Sequence, residues 1–239
     1  MKEKKTLNSI AIIPARGGST RIPRKNIKDF CGKPIIAYSI EAAINSKCFD
    51  RVIVSTDDKR IALIAKKYGA EVPFMRSNKN SSGIANLTDV VLEVLNGLKE
   101  GEFYPKYCCL IYATAPTLLP KSIKTAFKIL KEKSADAVIP VVEYEYPIPR
   151  ALKISNNCLG FAEEKNAFRR SQDLPVYYHD SGLFAFLKAG PFLKQKKIFM
   201  KKTIPLKLEK FLAQDIDTLE DWVLAEVKHQ YLKKNEKKQ

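Results

Sequence analysis

The sequence predicts an α/β fold in three layers, a doubly wound and mostly parallel sheet with helices on both faces, carrying a small extended arm. Short apolar runs rich in β-branched residues alternate with segments whose apolar residues recur at helical spacing, the pattern of repeated strand–helix units. The first of these runs leads into a glycine turn crowded with cations, IAIIPARGGSTRIPRKNI from Ile10 to Ile27. Sheets of this kind bind ligands beyond the carboxyl ends of their strands. Residues 143–178 break the alternation with prolines, aromatics and no long helical period. They can form extended pieces but can hardly fill a layer of the sheet.

Residues 9–14 read as a buried strand ended by Pro14, because proline cannot donate to a central ladder. Lys33-Pro34 opens a helix, with Ile36, Ile40, Ala43 and Ile44 on one face. Residues 51–55 form a second strand, and Thr56 and Asp57 can cap the helix that follows. Its apolar stripe is Ile61, Ile64, Ala65 and Tyr68, and Gly69 sits at its end. A short extended piece at 71–75 precedes a helix at 87–98, a strand at 107–113, a helix at 121–133 and a strand at 135–142. After the arm, 178–187 and 202–206 read as strands. A last helix, 217–232, takes its buried side from Leu219, Trp222 and Val223. The glycine loop, Thr56-Asp57 and residues 113–116 then share one rim.

A chain of 239 residues without an internal linker reads as one domain, 1–239, with 143–178 as its appendage. No apolar run approaches a membrane span, and the basic start lacks the apolar centre of a signal peptide. Five cysteines, odd in number and without a C-x-x-C pair, speak against a disulfide framework or a thiolate metal site. Reduced thiols and a cytoplasmic location are the expectation. The net charge of +16 admits nucleic acid, an anionic membrane surface or anionic small substrates as partners. The lysines at 194–202 and 228–238 lack the interleaved aromatics of a single-strand groove. They read as a solvated surface and a frayed tail, so neither nucleic acid nor membrane is expected.

Four groups of residues carry chemistry. Glycines 17 and 18 with Ser19 let the backbone turn and aim N–H groups into one concavity, and Arg16, Arg21, Arg24 and Lys25 surround it. This suits a polyanion, most simply a nucleoside triphosphate; a solvated turn with surface charges is the plain alternative. Arg16 and Lys25 are the choice for neutralising the phosphates, with Arg21 and Arg24 as rim charges. The second group is Gln214-Asp215-Ile216-Asp217, whose two carboxylates point the same way in an extended segment and can hold magnesium through oxygen. Asp217 is equally placed to cap the last helix.

In the third group, Arg76 follows an extended segment and precedes small polar residues up to Asn86. It can hold a ribose or a cytosine edge. The fourth group spans Phe168 to Pro175 and Tyr178 to Gly182. It offers hydroxyls and the planar guanidinium suited to a sugar carboxylate, through Arg169, Arg170, Gln172, Tyr178 and His179. No side chain stands out as a general base.

The string from Ile13 to Asn26 resembles the opening motif of the sugar-activating cytidylyltransferases, the CMP-sialic acid synthetase family. The resemblance runs from Ile10 to Trp222 with the motifs in family order. It implies a Rossmann-like nucleotidyltransferase that joins CTP to an acidic nine-carbon sugar and releases pyrophosphate. It places Ala15, Arg16, Gly17, Gly18, Ser19, Lys25, Asn26 and Arg76 at the nucleotide, and it strengthens Asp215 and Asp217 as magnesium ligands. The usual Arg-Pro pair is Arg76-Ser77 here.

Residues 111–116 and 170–175, followed by Tyr178-His179-Asp180, are most similar to the pseudaminic acid branch of the family. Tyr112 stands where the sialic acid enzymes typically carry a glutamine that helps recognise the sugar. Residues 180–186 lack the Gly-Gln-Phe-Tyr-Trp wording of the pseudaminic branch, so sialic and legionaminic acids stay as alternative substrates. The family's arm mediates dimerisation and lends an arginine to the neighbouring site, which implies a homodimer with Arg169 or Arg170 reaching across. A basic nucleic-acid-binding protein is the rival of another class, and a nucleotide-binding regulator without turnover is a further one.

Overall fold

The computed structural model describes residues 8–81 and 86–236. The elements run β1 (Ser9–Pro14), β2 (Asp29–Phe30), β3 (Lys33–Pro34), α1 (Ile35–Ser46), β4 (Arg51–Ser55), α2 (Lys59–Lys67), α3 (Asn78–Ser81), α4 (Leu87–Glu100), β5 (Tyr107–Ile111) and α5 (Pro120–Glu132). They continue with β6 (Ala137–Glu143), β7 (Leu152–Ser155), β8 (Cys158–Phe161), β9 (Tyr178–Asp180), β10 (Phe184–Lys188), α6 (Ala189–Gln195), β11 (Thr203–Lys207) and α7 (Leu219–Glu236). The main sheet has the order β11-β6-β10-β5-β1-β4, with β9 also on β6.

Alternation along the strands builds the three layers. Ala11 and Ile13 face α1, α2 and α5, while Ile10 and Ile12 face α4 and α6. The same switch recurs in β5, where Cys109 and Ile111 face one layer and Cys108 and Leu110 the other. Strands β4 and β5 pair in parallel on opposite sides of β1. The chain therefore reverses direction across the sheet at β1, and a crevice opens beyond Pro14. A third cluster, of Ile22, Phe30, Ile35, Ile216, Trp222 and Ala225, joins the glycine loop to α7 on the rim of that crevice.

Several elements differ from the sequence reading. The strand expected at 178–187 is split: β9 and β10 both run antiparallel to β6, but Val141 pairs with Asp180 and Val138 with Phe186. Residues 181–183 bulge between them, with Gly182 at φ 68° and its N–H held by the Asp180 carboxylate at 2.9 Å. Lys33-Pro34 belongs to a two-residue ladder with β2, and α1 begins one residue later. The cap of α2 is Asp58, which accepts from the Arg60 and Ile61 N–H groups. Thr56 and Asp57 do not fill that role.

On α7 the buried side is Trp222 and Ala225, whereas Leu219 and Val223 face outward. Trp222 sets this orientation by packing edge-on against Phe30, with centroids 5.3 Å apart. Asp217 does not cap the helix; Thr218 and Asp221 exchange side-chain and backbone hydrogen bonds there. Helix α6 leaves little local trace, because Gly190-Pro191 reads as a breaker and the lysines 194, 196 and 197 gather at and beyond its end. The tail through Glu236 is helical rather than frayed, and Lys228 within it donates to the Ala213 carbonyl and Gln214. Part of the polar run 81–86 and the lysines beyond 236 lie outside the described residues.

Two expectations test this packing. Phe186 is fully buried and stacked on Phe127 at 4.8 Å and on Phe49 at 5.5 Å. Phe186→Ala is expected to destabilise the fold by about 3–5 kcal/mol in urea denaturation, from lost burial and the cavity left behind. Glu93 of α4 accepts from the Ser77 N–H and the Asn80 amide, both at 2.8 Å. Burial opposes its charge, but these hydrogen bonds outweigh burial and hold its carboxyl below the ordinary value. A depressed carboxylate stabilises above its unfolded pKa, and that stability is lost as pH falls through the folded pKa. Glu93→Gln is therefore expected to lower Tm at neutral pH, with a gap to wild type that closes as pH falls below about 4.3.

Candidate active site

The crevice beyond β1 is a cleft of about 440 Å³. Arg16, Ser19, Lys25 and Asn26 line it from the glycine loop, Arg76 from the opposite wall, Tyr112 from the end of β5, and Asp215 and Asp217 from the segment before α7. Residues far apart in sequence thus converge on one side of the sheet, as the shared-rim reading requires.

The loop is fixed from several directions. Ala15 extends the sheet pairing by donating to the Ser55 carbonyl at 2.9 Å. The buried Asn26 side chain donates to the Arg16 carbonyl at 2.9 Å, closing the loop on itself. Neither Gly17 nor Gly18 takes a positive φ. Gly17 is required for close approach: a Cβ there would lie 3.0 Å from the Asp58 side chain. Its N–H does not stand open to a phosphate but is held by Asp57 at 2.8 Å. Gly18 has open space around it.

Arg76 is 7% exposed, and its guanidinium donates to the Ser55 hydroxyl at 3.1 Å and to the Ser55 carbonyl. Burial pulls its pKa down while Asp57 and Glu93 oppose that shift. An arginine starts so high that it stays charged. The result is an immobilised cation on the cleft wall.

The acidic segment follows from one buried residue. Ile216 is fully buried in the third cluster, so its neighbours Asp215 and Asp217 turn to the cleft. Lys25 donates to the Ile216 carbonyl and lies 3.5 Å from Asp217, and Arg21 lies 2.8 Å from the same Asp217 oxygen. Carboxylate oxygens fit a hard divalent cation. Among the described residues no cluster of three His, Cys, Asp or Glu side chains forms, so an ion held here would draw its other ligands from water and phosphate.

Tyr112 sits where the cleft turns toward the β9–β10 bulge. Burial first, then the charges of Asp180 and Asp215, push its phenol up to about 12, so it stays neutral. Asp180 is raised too, by partial loss of solvent around its carboxyl and by Asp215. His179 packs against Tyr144 at 4.8 Å and borders an adjoining cleft that shares Asp215. Tyr178 lies under the Lys207 ammonium instead. Arg169, Arg170 and Gln172 are exposed and border neither cleft of their own chain, and Arg169 donates to the Asp173 carbonyl at 2.7 Å.

Two residues take roles other than those the sequence reading gives them. Asp57 stays away from the helix cap and secures the loop; the signal was the pair Asp57-Asp58, since a helix needs only one cap. Arg21, read as a rim charge, reaches the acidic segment, and nothing local in the sequence shows that contact.

Comparison with known proteins fits this geometry. Residues 10–237 match the cytidylyltransferase family. The chain is 42% identical to pseudaminic acid cytidylyltransferase of Campylobacter jejuni subsp. jejuni over 92% of this chain and 96% of that one. It is 33% identical to CMP-N,N'-diacetyllegionaminic acid synthase of Legionella pneumophila subsp. pneumophila, over 91% and 94%. A solved CMP:2-keto-3-deoxy-manno-octonic acid synthetase complexed with CTP shares the fold, with a TM-score of 0.65 at 17% identity over 95% of this chain and 99% of that one. On the family match over nearly its whole length, the chain belongs to the cytidylyltransferase family.

Proposed function

We propose that this enzyme transfers CMP from CTP to pseudaminic acid, forming the CMP-sugar and pyrophosphate with magnesium. The observation that carries the reading is one cleft lined both by Arg16 and Lys25 of the loop and by Asp215 and Asp217 of the acidic segment, with Lys25 against Asp217. The greater identity to pseudaminic than to legionaminic acid enzymes supports the choice of sugar. So does Tyr112, a neutral phenol that can exchange hydrogen bonds with sugar hydroxyls and carries no competing charge.

The anomeric hydroxyl of the sugar attacks the α-phosphorus. A new O–P bond forms, the bond to the bridging oxygen breaks, pyrophosphate carries away the electron pair, and the hydroxyl proton is released. Arg16 and Lys25 stabilise charge on the phosphate oxygens. Ala15, Gly17, Gly18, Ser19 and Asn26 shape the loop around the nucleotide, and Arg76, locked by Ser55, presents a fixed cation to it. Asp215 and Asp217 would hold magnesium, which when bound neutralises phosphate charge. The chain's own contribution is positioning and electrostatics.

The chain acts as one nucleotidyltransferase domain, in the cytoplasm, and as a homodimer through the arm at 143–178. The arm's surface supports that assembly. Phe168 is 97% and Tyr146 83% exposed, and Ile154 and Leu159 of the β7–β8 hairpin are mostly exposed as well. Arg169 or Arg170 and Gln172, unused in their own cleft, reach the partner's sugar carboxylate, with Tyr178 and His179 at the arm's root.

Incubation with CTP, magnesium and a panel of nonulosonic acids should release pyrophosphate, fastest with pseudaminic acid and at least about tenfold slower with sialic or legionaminic acid. No release with any acid overturns the reading. Asp215→Asn and Asp217→Asn should each abolish turnover while leaving Tm near wild type, since the near ion pair of Asp217 is with the exposed Arg21 and Lys25 keeps its bond to the Ile216 carbonyl. Arg16→Ala and Arg170→Ala should each be inactive alone and regain partial activity when mixed and allowed to exchange subunits. No recovery despite proven exchange would confine the arm to its own chain.

A further inference from the structure

The loop and the acidic segment meet in an ion pair. Arg21 lies 2.8 Å from one oxygen of Asp217, and Lys25 lies 3.5 Å from that same oxygen. All three residues line the cleft. Lys25 is largely enclosed and is also tied to the Ile216 carbonyl, so its place is set by the segment itself. Arg21 approaches from solvent with a side chain 66% exposed. Of the two cations it is the one that can leave without disturbing the fold.

Resting on the assignment of Asp215 and Asp217 to a divalent ion, we propose that Arg21 is the positioning residue through which nucleotide and metal binding are coupled. In the free protein its guanidinium lies on one oxygen of the Asp217 carboxylate, beside the place an ion held by that carboxylate would take. A guanidinium and a divalent cation compete for one carboxylate oxygen, because each repels the other at contact distance. An exposed ion pair is weak, so the exchange costs little. A triphosphate entering the cleft offers Arg21 several charges and a bidentate grip. Arg21 would then move to the phosphates, leaving on that oxygen only the more distant Lys25 of the two cations and opening Asp217 to the ion. Coupling of this kind is reciprocal: the factor by which nucleotide tightens metal is the factor by which metal tightens nucleotide.

The loop supplies its own control. Arg24 carries the same charge three residues on, but it faces Asp58 at 3.8 Å and not the acidic segment. Mn2+, followed by electron paramagnetic resonance, is the probe. It is titrated into wild type, Arg21→Ala, Arg21→Gln, Arg24→Ala and Asp217→Asn, with and without CTP. Without CTP, both Arg21 variants should bind Mn2+ about fivefold more tightly than wild type, the scale of a partly exposed ion pair. Arg24→Ala should match wild type. The enhancement that CTP confers should shrink in the Arg21 variants by the same factor. Unchanged affinity in folded Arg21 variants, or an equal gain in Arg24→Ala, overturns the coupling. Asp217→Asn with CTP separates the two readings: loss of Mn2+ there beside unchanged Arg21 variants removes the coupling alone, whereas full retention removes the metal assignment and the coupling with it.

Discussion

The bond from the Lys25 ammonium to the Ile216 carbonyl spans 191 positions of sequence and joins the two halves of the cleft. It works because each end is already fixed. Lys25 opens a one-turn 3-10 helix whose Asn26 is buried and bound back to Arg16. Ile216 is anchored among Phe30, Ile35 and Trp222. With that side chain inward, its carbonyl and the two flanking carboxylates are left to the cleft. A cation loop and an acidic segment, each of modest meaning alone, acquire a defined separation.

The charges in the cleft are graded by how firmly they are held. Arg76 is buried and bound twice to Ser55. Lys25 is partly enclosed and bound to one carbonyl and one carboxylate. Arg21 is exposed and bound to one carboxylate. A triphosphate arriving from solvent would meet them in the reverse order, mobile cation first and fixed cation last. Preorganised donors of the fixed kind lose least freedom as charge develops in a reaction. The wider excess of positive charge raises the local concentration of an anionic nucleotide and an acidic sugar.

Much of the sheet was legible because burial on both faces leaves a strong local trace. Residues 9–14 and 51–55 are continuous apolar runs and lie where that reading puts them. The failures occur where a distant partner decides. Leu219 and Val223 have helical spacing with Trp222, but Phe30, nearly two hundred residues earlier, selects which side is inward. Asp57 and Asp217 are plausible caps by local rules, yet neighbouring Asp58 and Thr218 take the caps and leave them to Gly17 and Arg21. At the site, the residue types were readable and their pairings were not. A pairing between Arg21 and Asp217 exists only after the sheet has brought their ends together.

The place of β10 in the sheet has a consequence for a chain made from its amino end. Strand β6 is flanked by β10 and β11, both of which come later in the sequence, and the edge of β5 that faces β6 is also filled by β10. As β6 is synthesised it therefore has no neighbour, and β5 presents an open edge. At about 5–20 residues per second, the roughly forty residues that separate β6 from β10 leave both edges unpaired for a few seconds. Open apolar edges are templates for pairing with other chains. The nascent protein is thus most exposed to misassociation while its arm is being made; the five-residue β10 then closes the gap between β5 and β6, and the far edge of β6 waits for β11.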